Sequence, residues 1–348
     1  VISGETGLVY GLRVRWTVRG LAPGCDPIAL LFSGFAGFGA DGGRDSPEAL
    51  EVEGRQSSRG IVFEVEAGDV GAEDAASLAG EEFRPSFFQG NVHAFERDGE
   101  VRILAPSARV AVTDDGGRVR AVVDPSTLGE RGFVNTTLVI ALSIALRHHG
   151  FFHLHGGALV RGDGRRVLIL GEGGSGKTTL TLSLLDDGAL RLGDDTLFFS
   201  SRRGLGRIQL FGFPRPFHVA PATARAFPAL SVIVPSGDGA GGGDVKSDLP
   251  LSAVPGTAAS VMDAPHVVLF PRVTRQARTR VLPVSPPDAF GLALSSCALV
   301  AADGLGQKAE QLAALRELVG GARAFEIELG EDCLAAPALA GTLIPWPA

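Results

Sequence analysis

The sequence predicts an α/β protein, with a β-rich N-terminal subdomain over residues 1–130 and a second domain, built around a glycine-rich loop, over residues 131–348. Three observations carry this. The first 130 residues fall into short runs of alternating apolar and polar positions, broken by turn residues. An apolar strand, a glycine-rich loop and an apolar helix follow one another at 167–185. A length of 348 residues suits two domains of about 150 residues each.

Taken in chain order, Leu8–Val18 reads as a strand with Leu12, Val14 and Trp16 on one side. Further short strands are expected at Ile61–Val65, Val92–Phe95, Val101–Leu104 and Arg109–Thr113, separated by turns such as Asp98-Gly99 and 114–117. His93 is read as an ordinary strand residue. A helix is expected at about 131–149, because Val134, Leu138, Ala141, Leu142, Ala145 and Leu146 form one apolar stripe. Strands Phe152–Val160 and Arg166–Leu170 follow, then the loop, a helix at about 176–186 and an extended stretch Leu190–Ser200. Beyond it come the rigid element Phe211–Pro216, a glycine-rich flexible segment at Gly237–Asp244, a strand His266–Phe270 and a helix near 303–319 carrying Leu305, Leu312, Leu315 and Leu318.

Composition narrows the function classes. A net charge of −7 argues against a nucleic-acid partner, whose domain would be basic. The longest membrane-like run, Leu138–Leu146, is about half of what a span needs, so no membrane partner is expected. Three distant cysteines, Cys25, Cys297 and Cys333, imply neither a zinc site nor a disulfide framework. With no signal peptide in view, the expected location is cytoplasmic. Lysine occurs only at Lys177, Lys246 and Lys308, so each lysine is informative where arginine could have supplied a charge.

Residues Gly171-Glu172-Gly173-Gly174-Ser175-Gly176-Lys177-Thr178 match the phosphate-loop pattern G-x-x-x-x-G-K-[ST]. From the composition, about 0.006 such matches are expected by chance. The residue types suit the chemistry. Glycines let backbone N–H groups converge on an anion, and the following helix N-terminus adds positive potential. Lys177 would reach the outer phosphates, and the Thr178 hydroxyl suits Mg²⁺. Thr179 completes the expected nucleotide-contacting set: Gly171, Gly173, Gly174, Ser175, Gly176, Lys177, Thr178 and Thr179. A rival is nested in the same stretch, since Gly171, Gly173 and Gly176 also satisfy the dinucleotide fingerprint, with Asp194 about 20 residues on. That rival leaves Lys177-Thr178 unexplained.

Gly193-Asp194-Asp195 follows, with Asp194 17 residues after Lys177, the length of one helix and the next strand. Adjacent carboxylates there could hold Mg²⁺ or take a proton from an attacking hydroxyl. His155 lies on the preceding strand, on the same face as His153, and is expected to orient an aspartate. Arg215 is held between Pro214 and Pro216 and could reach a transferring phosphoryl group; Lys246 is weighed as a phosphate contact and read as a solvated loop residue. Asp186-Asp187 and His148-His149 are read as helix ends.

Through Leu154-His155-Gly156, Gly171–Thr178 and Gly193-Asp194-Asp195, the stretch Phe152–Ser200 resembles the catalytic core of HPr kinase/phosphorylase and its related proteins. The wider layout resembles the related kinases that modify ribosomal peptides. The resemblance implies a phosphoenolpyruvate-carboxykinase-like P-loop fold, ATP and Mg²⁺ as cofactors, and transfer of the γ-phosphate to a hydroxyl, typically of serine, on a peptide, protein or small molecule. It further implies Asp194 as base, His155 beside it, Lys177 and Arg215 on the phosphates, and Thr178 with Asp195 at the metal. A homo-oligomer is among the expected assemblies. Where HPr kinases usually carry a glutamate after the loop hydroxyl, Thr179 stands here, so an acceptor other than HPr is expected. The alternatives are a nucleotide-binding regulatory or ATPase module and a dinucleotide-dependent enzyme.

Overall fold

The computed structural model describes residues 2–9, 12–21, 31, 60–70, 84–89, 92–98, 100–113, 115–127, 133–201, 207–227, 230, 246–297 and 306–347. The fold is mixed α/β with several sheets. Two compact units divide the chain: Val1–Phe152 with Leu299–Leu312, and His153–Ala298 with Ala313–Ala348.

The first unit holds one eight-stranded sheet. Its strands are β1 (Ile2–Val9), β2 (Leu12–Arg19), β3 (Gly60–Ala67), β4 (Arg84–Gln89), β5 (Val92–Arg97), β6 (Glu100–Ala105), β7 (Ala108–Val112) and β8 (Arg118–Val123), in the order β1-β2-β3-β8-β7-β6-β5-β4. The single strand expected over Leu8–Val18 is instead parts of two antiparallel strands, β1 and β2. One sheet face is the core: Val14, Ile61, Phe63, Ile103, Val112 and Val119 are fully buried. The helix Phe133–His148 packs on β6, β7 and β8. It therefore belongs to this unit, not to a domain starting at residue 131. Nor does it present a single stripe: every side chain from Thr137 to Arg147 is buried. A helix apolar on all sides is what a fully enclosed position requires.

The second unit is built on a seven-stranded sheet. Its strands are β10 (Gly156–Val160), β11 (Arg166–Leu170), β12 (Leu190–Gly193), β17 (Thr257–Ala258), β19 (Val267–Val273), β20 (Arg280–Val284) and β21 (Arg323–Leu329), in the order β17-β12-β10-β11-β19-β21-β20. A four-stranded sheet, β18-β14-β13-β9, comprises β9 (Phe152–Leu154), β13 (Leu197–Ser200), β14 (Gln209–Gly212) and β18 (Val261–Asp263). Strands β15 (Phe217–Val219) and β16 (Ser247–Leu249) form a small separate pair. The helix Lys177–Leu184 is buried on two sides. Leu180 and Leu184 pack with Val167, Ile169, Leu269 and Ile327 of the large sheet. Leu182 packs with Phe217, Val219 and Leu249.

Two expected strands are each two. Phe152–Val160 divides at His155, and Leu190–Ser200 divides at Asp194–Thr196. At both breaks the chain passes between the four-stranded and the seven-stranded sheet. The segment Gly237–Asp244, Cys25 and the expected start of the 303–319 helix with Leu305 lie outside the described residues; the helix is described from Lys308 to Gly320. No helix among the described residues is long and apolar enough to cross a membrane.

Candidate active site

The loop joins β11 to the helix Lys177–Leu184. Its shape depends on glycine where the backbone turns left-handed. Gly176 caps the helix at φ 101°, and a Cβ there would lie 2.6 Å from Leu329. Around Gly173 and Gly174 there is open space on the side a Cβ would occupy. The loop is thus packed on the sheet at its foot and open at its crown.

Lys177, only 7% exposed, begins the helix and turns back over the loop. Its Nζ donates to the carbonyls of Gly171 at 2.7 Å and Glu172 at 2.8 Å. Burial pulls its pKa below that of a free lysine, while the charges of Asp195 and Asp194 oppose that pull. An anion bound in the loop would favour the charged form for the same electrostatic reason.

Because the chain changes sheet at residues 194–196, the two carboxylates take separate surroundings. Asp194 is 6% exposed, and its Oδ2 accepts a 2.6 Å hydrogen bond from Thr178 Oγ1. Its Oδ1 is buried and faces the buried Thr181 hydroxyl. Burial, reinforced by the Asp195 charge, pushes Asp194 up to about 6, against the pull of the Thr178 and Thr181 hydroxyls and Lys177. The side chain of Asp195 is 35% exposed. His155 Nδ1 lies 2.9 Å from the Asp195 backbone carbonyl and 3.3 Å from its Oδ1. A carbonyl only accepts, so that contact fixes the proton on Nδ1. Burial lowers the His155 pKa, which favours the neutral ring. Arg215 Nη1 stands 3.9 Å from Asp195 Oδ2.

The structure therefore brings together Lys177, Thr178, Asp194, Asp195, His155 and Arg215, with the carboxylate partners exchanged from those expected. Thr178 meets Asp194 rather than Asp195, and His155 meets Asp195 rather than Asp194. Thr179 points elsewhere: its hydroxyl lies 2.7 Å from that of Thr223 and is buried. Adjacent helical positions are about 100° apart, so Thr178 and Thr179 cannot face the same side. Lys246, read as a solvated residue, is indeed exposed, yet its charge acts on both His155 and Lys177. Asp186 is not a free turn residue, since it binds Arg161 at 2.9 Å and the Gly162 N–H at 2.8 Å.

Sequence reasoning passed over Gly157 and Thr181. A Cβ on Gly157 would lie 2.6 Å from Thr181 Oγ1 and 3.5 Å from Asp194 Oδ1. A glycine inside an apolar strand is a sign of such close approach. Gly157→Ala is expected to cost about 1–3 kcal/mol of stability in urea unfolding. The cost should be smaller in a Thr181→Ala background, because that change removes the clashing atom. Equal costs in both backgrounds would show that the contact is not responsible.

The donor set fits ATP and Mg²⁺. The loop is open where phosphates would enter, and a hydroxyl paired with a carboxylate stands beside it. Among the described residues no group of three or more His, Cys, Asp or Glu forms a metal cage. Mg²⁺ needs none, since one or two carboxylates with phosphate oxygens and water suffice.

No protein-family model matches the chain, and no curated protein sequence matches it. Among solved structures, the HPr(Ser) kinase/phosphatase from Coxiella burnetii is similar in part. The two share 16% identity over 55% of this chain and 87% of that one, with a TM-score of 0.29.

Proposed function

We propose that this protein is an ATP- and Mg²⁺-dependent kinase that transfers the γ-phosphoryl group to a hydroxyl of a peptide, protein or small molecule. The observation that carries the reading is the convergence on one loop of a buried lysine, a hydroxyl–carboxylate pair and a second, more exposed carboxylate held by a histidine and an arginine.

Phosphoryl transfer asks a protein for position and charge neutralisation more than for covalent chemistry. The loop N–H groups and Lys177 hold the phosphates. Thr178 and Asp194 form the metal side, where Mg²⁺, when bound, supplies charge neutralisation on the phosphate oxygens. Asp195 forms the acceptor side. It is accessible, and His155 fixes both its backbone and its carboxylate. In the step itself the acceptor oxygen bonds to the γ-phosphorus, the bond to the β-phosphate oxygen breaks, and Asp195 takes the hydroxyl proton as ADP leaves. Arg215, beside Asp195, adds positive charge where the transferring group passes.

A dinucleotide site fits less well. A ribose-binding acid must reach its ligand, whereas Asp194 is buried against Thr178. The loop strand β11 is also antiparallel to β10 and parallel only to β19, unlike an all-parallel nucleotide-binding half.

The test is mass spectrometry of a panel of serine, threonine and tyrosine peptides and small hydroxyl compounds after incubation with ATP·Mg²⁺. The reading expects an acceptor that gains one phosphoryl group as ADP forms, and no gain with Lys177→Ala. ATP consumed at the same rate with and without every acceptor would identify an ATPase instead.

A further inference from the structure

The first unit carries a charged sheet face that the kinase reading leaves without a role. In β3, Ile61, Phe63 and Val65 are buried, so Glu64 and Glu66 face the other way. Register across the sheet places two rows on that opposite face. One runs Thr17, Glu64, Arg120, Ala111, Arg102, and the next runs Arg19, Glu66, Val122, Arg109, Leu104. Together they line a cavity of about 420 Å³. Arg15 and Arg118 extend the face on either side of Val62. Arg120 pairs with Glu64 at 3.0 Å and Arg102 with Glu100 at 3.0 Å, while Arg109 Nη1 donates to the carbonyls of Ala105 at 2.7 Å and Ala108 at 3.3 Å. Among the described residues, arginines outnumber acids on this face, in a chain whose net charge is −7.

We infer that this face is a docking groove for an acidic, extended peptide segment of a partner protein. Arg19 and Arg109 stand three strands apart, about 14 Å, and Arg120 and Arg102 two strands apart, about 10 Å. An extended peptide advances about 3.4 Å per residue and turns every second side chain to the same face, so acidic side chains four residues apart match the wider of those spacings. The guanidinium group suits the task, because its planar donors grip a carboxylate in pairs. The occupant is a peptide and not a nucleic acid because Glu64 and Glu66 interrupt each row. A continuous phosphate chain would meet both carboxylates, whereas a peptide can set a neutral or basic side chain there.

The experiment is fluorescence anisotropy, without nucleotide, using a labelled peptide of alternating glutamate and valine, its lysine-for-glutamate counterpart, and a labelled single-stranded oligonucleotide. The glutamate peptide binds the full chain, the lysine peptide does not, and affinity falls about tenfold or more between low and about 0.3 M salt. Arg19→Glu with Arg120→Glu removes binding, while Arg19→Gln with Arg120→Gln weakens it by about fivefold or more. Both arginines are exposed, and circular dichroism melts confirm that the variants fold. Absence of glutamate-peptide binding, binding unchanged in both double variants of confirmed fold, or tighter binding of the oligonucleotide overturns the proposal. None of these outcomes depends on whether the other unit is a kinase.

Discussion

Asp195→Asn lowers the rate of phosphoryl transfer by about 10²- to 10⁴-fold and leaves ATP·Mg²⁺ affinity within about threefold. The variant keeps size and shape but cannot accept the acceptor proton. Lys177 keeps its hydrogen bonds to the Gly171 and Glu172 carbonyls, none of which involves Asp195, so the phosphate-binding loop is retained. His155→Ala falls between parent and Asp195→Asn, as a positioning residue should, with kcat reduced and KM for ATP unchanged. His155→Asn recovers part of the loss, since an amide N–H can donate to the Asp195 carbonyl as Nδ1 does. Single-turnover kinetics with the identified acceptor separates these effects. Full activity in Asp195→Asn, with Asp194→Asn inactive, would return the base to Asp194.

Asp194→Asn, by contrast, stabilises the ligand-free protein at pH 8 by about 3 kcal/mol. The folded-state pKa of about 6 lies above the ordinary 3.8 of the carboxyl. Below 3.8 the group is protonated in both states and costs nothing. As pH rises through about 6 the folded protein must carry a buried charge, and stability is lost. Asparagine never bears that charge. In urea unfolding the advantage of the variant should therefore be largest above pH 7 and narrow steadily toward pH 4.5. A functional site that holds a destabilising charge until its cation arrives is a familiar exchange of stability for activity. The same variant should lose the Mg²⁺-dependent part of ATP binding, because Thr178 then faces a neutral partner.

The parts of the site that follow one another along the chain were legible in the sequence. Strand, loop and helix at 167–184 are consecutive, and glycine, lysine and hydroxyl positions there answer directly to phosphate chemistry. Asp194 and Asp195 were legible by spacing, because one helix and one strand return the chain to the loop. Their division of partners was not legible. It arises where the chain leaves the large sheet for the small one, a change of direction that the single extended reading of Leu190–Ser200, with two aspartates in its middle, does not contain. Gly157 and Thr181 meet only because a helix lies across a strand, and no local pattern encodes that contact. In the first unit β2, β3, β5, β6 and β7 were visible as alternating runs, whereas β8 and the separation of β1 from β2 were not. Strands β20 and β21 also went unseen, although Ala324, Phe325, Ile327 and Leu329 are buried.

The most direct test of the central claim, that Gly171–Thr178 with Asp194 forms an ATP·Mg²⁺ site, is isothermal titration calorimetry of the full chain with ATP, in the presence and absence of Mg²⁺, and with NAD. The account predicts ATP binding that Mg²⁺ strengthens, no comparable binding of NAD, and a loss of about 10²-fold or more in Lys177→Ala. Binding of NAD without ATP, or ATP affinity unchanged in Lys177→Ala, would contradict it.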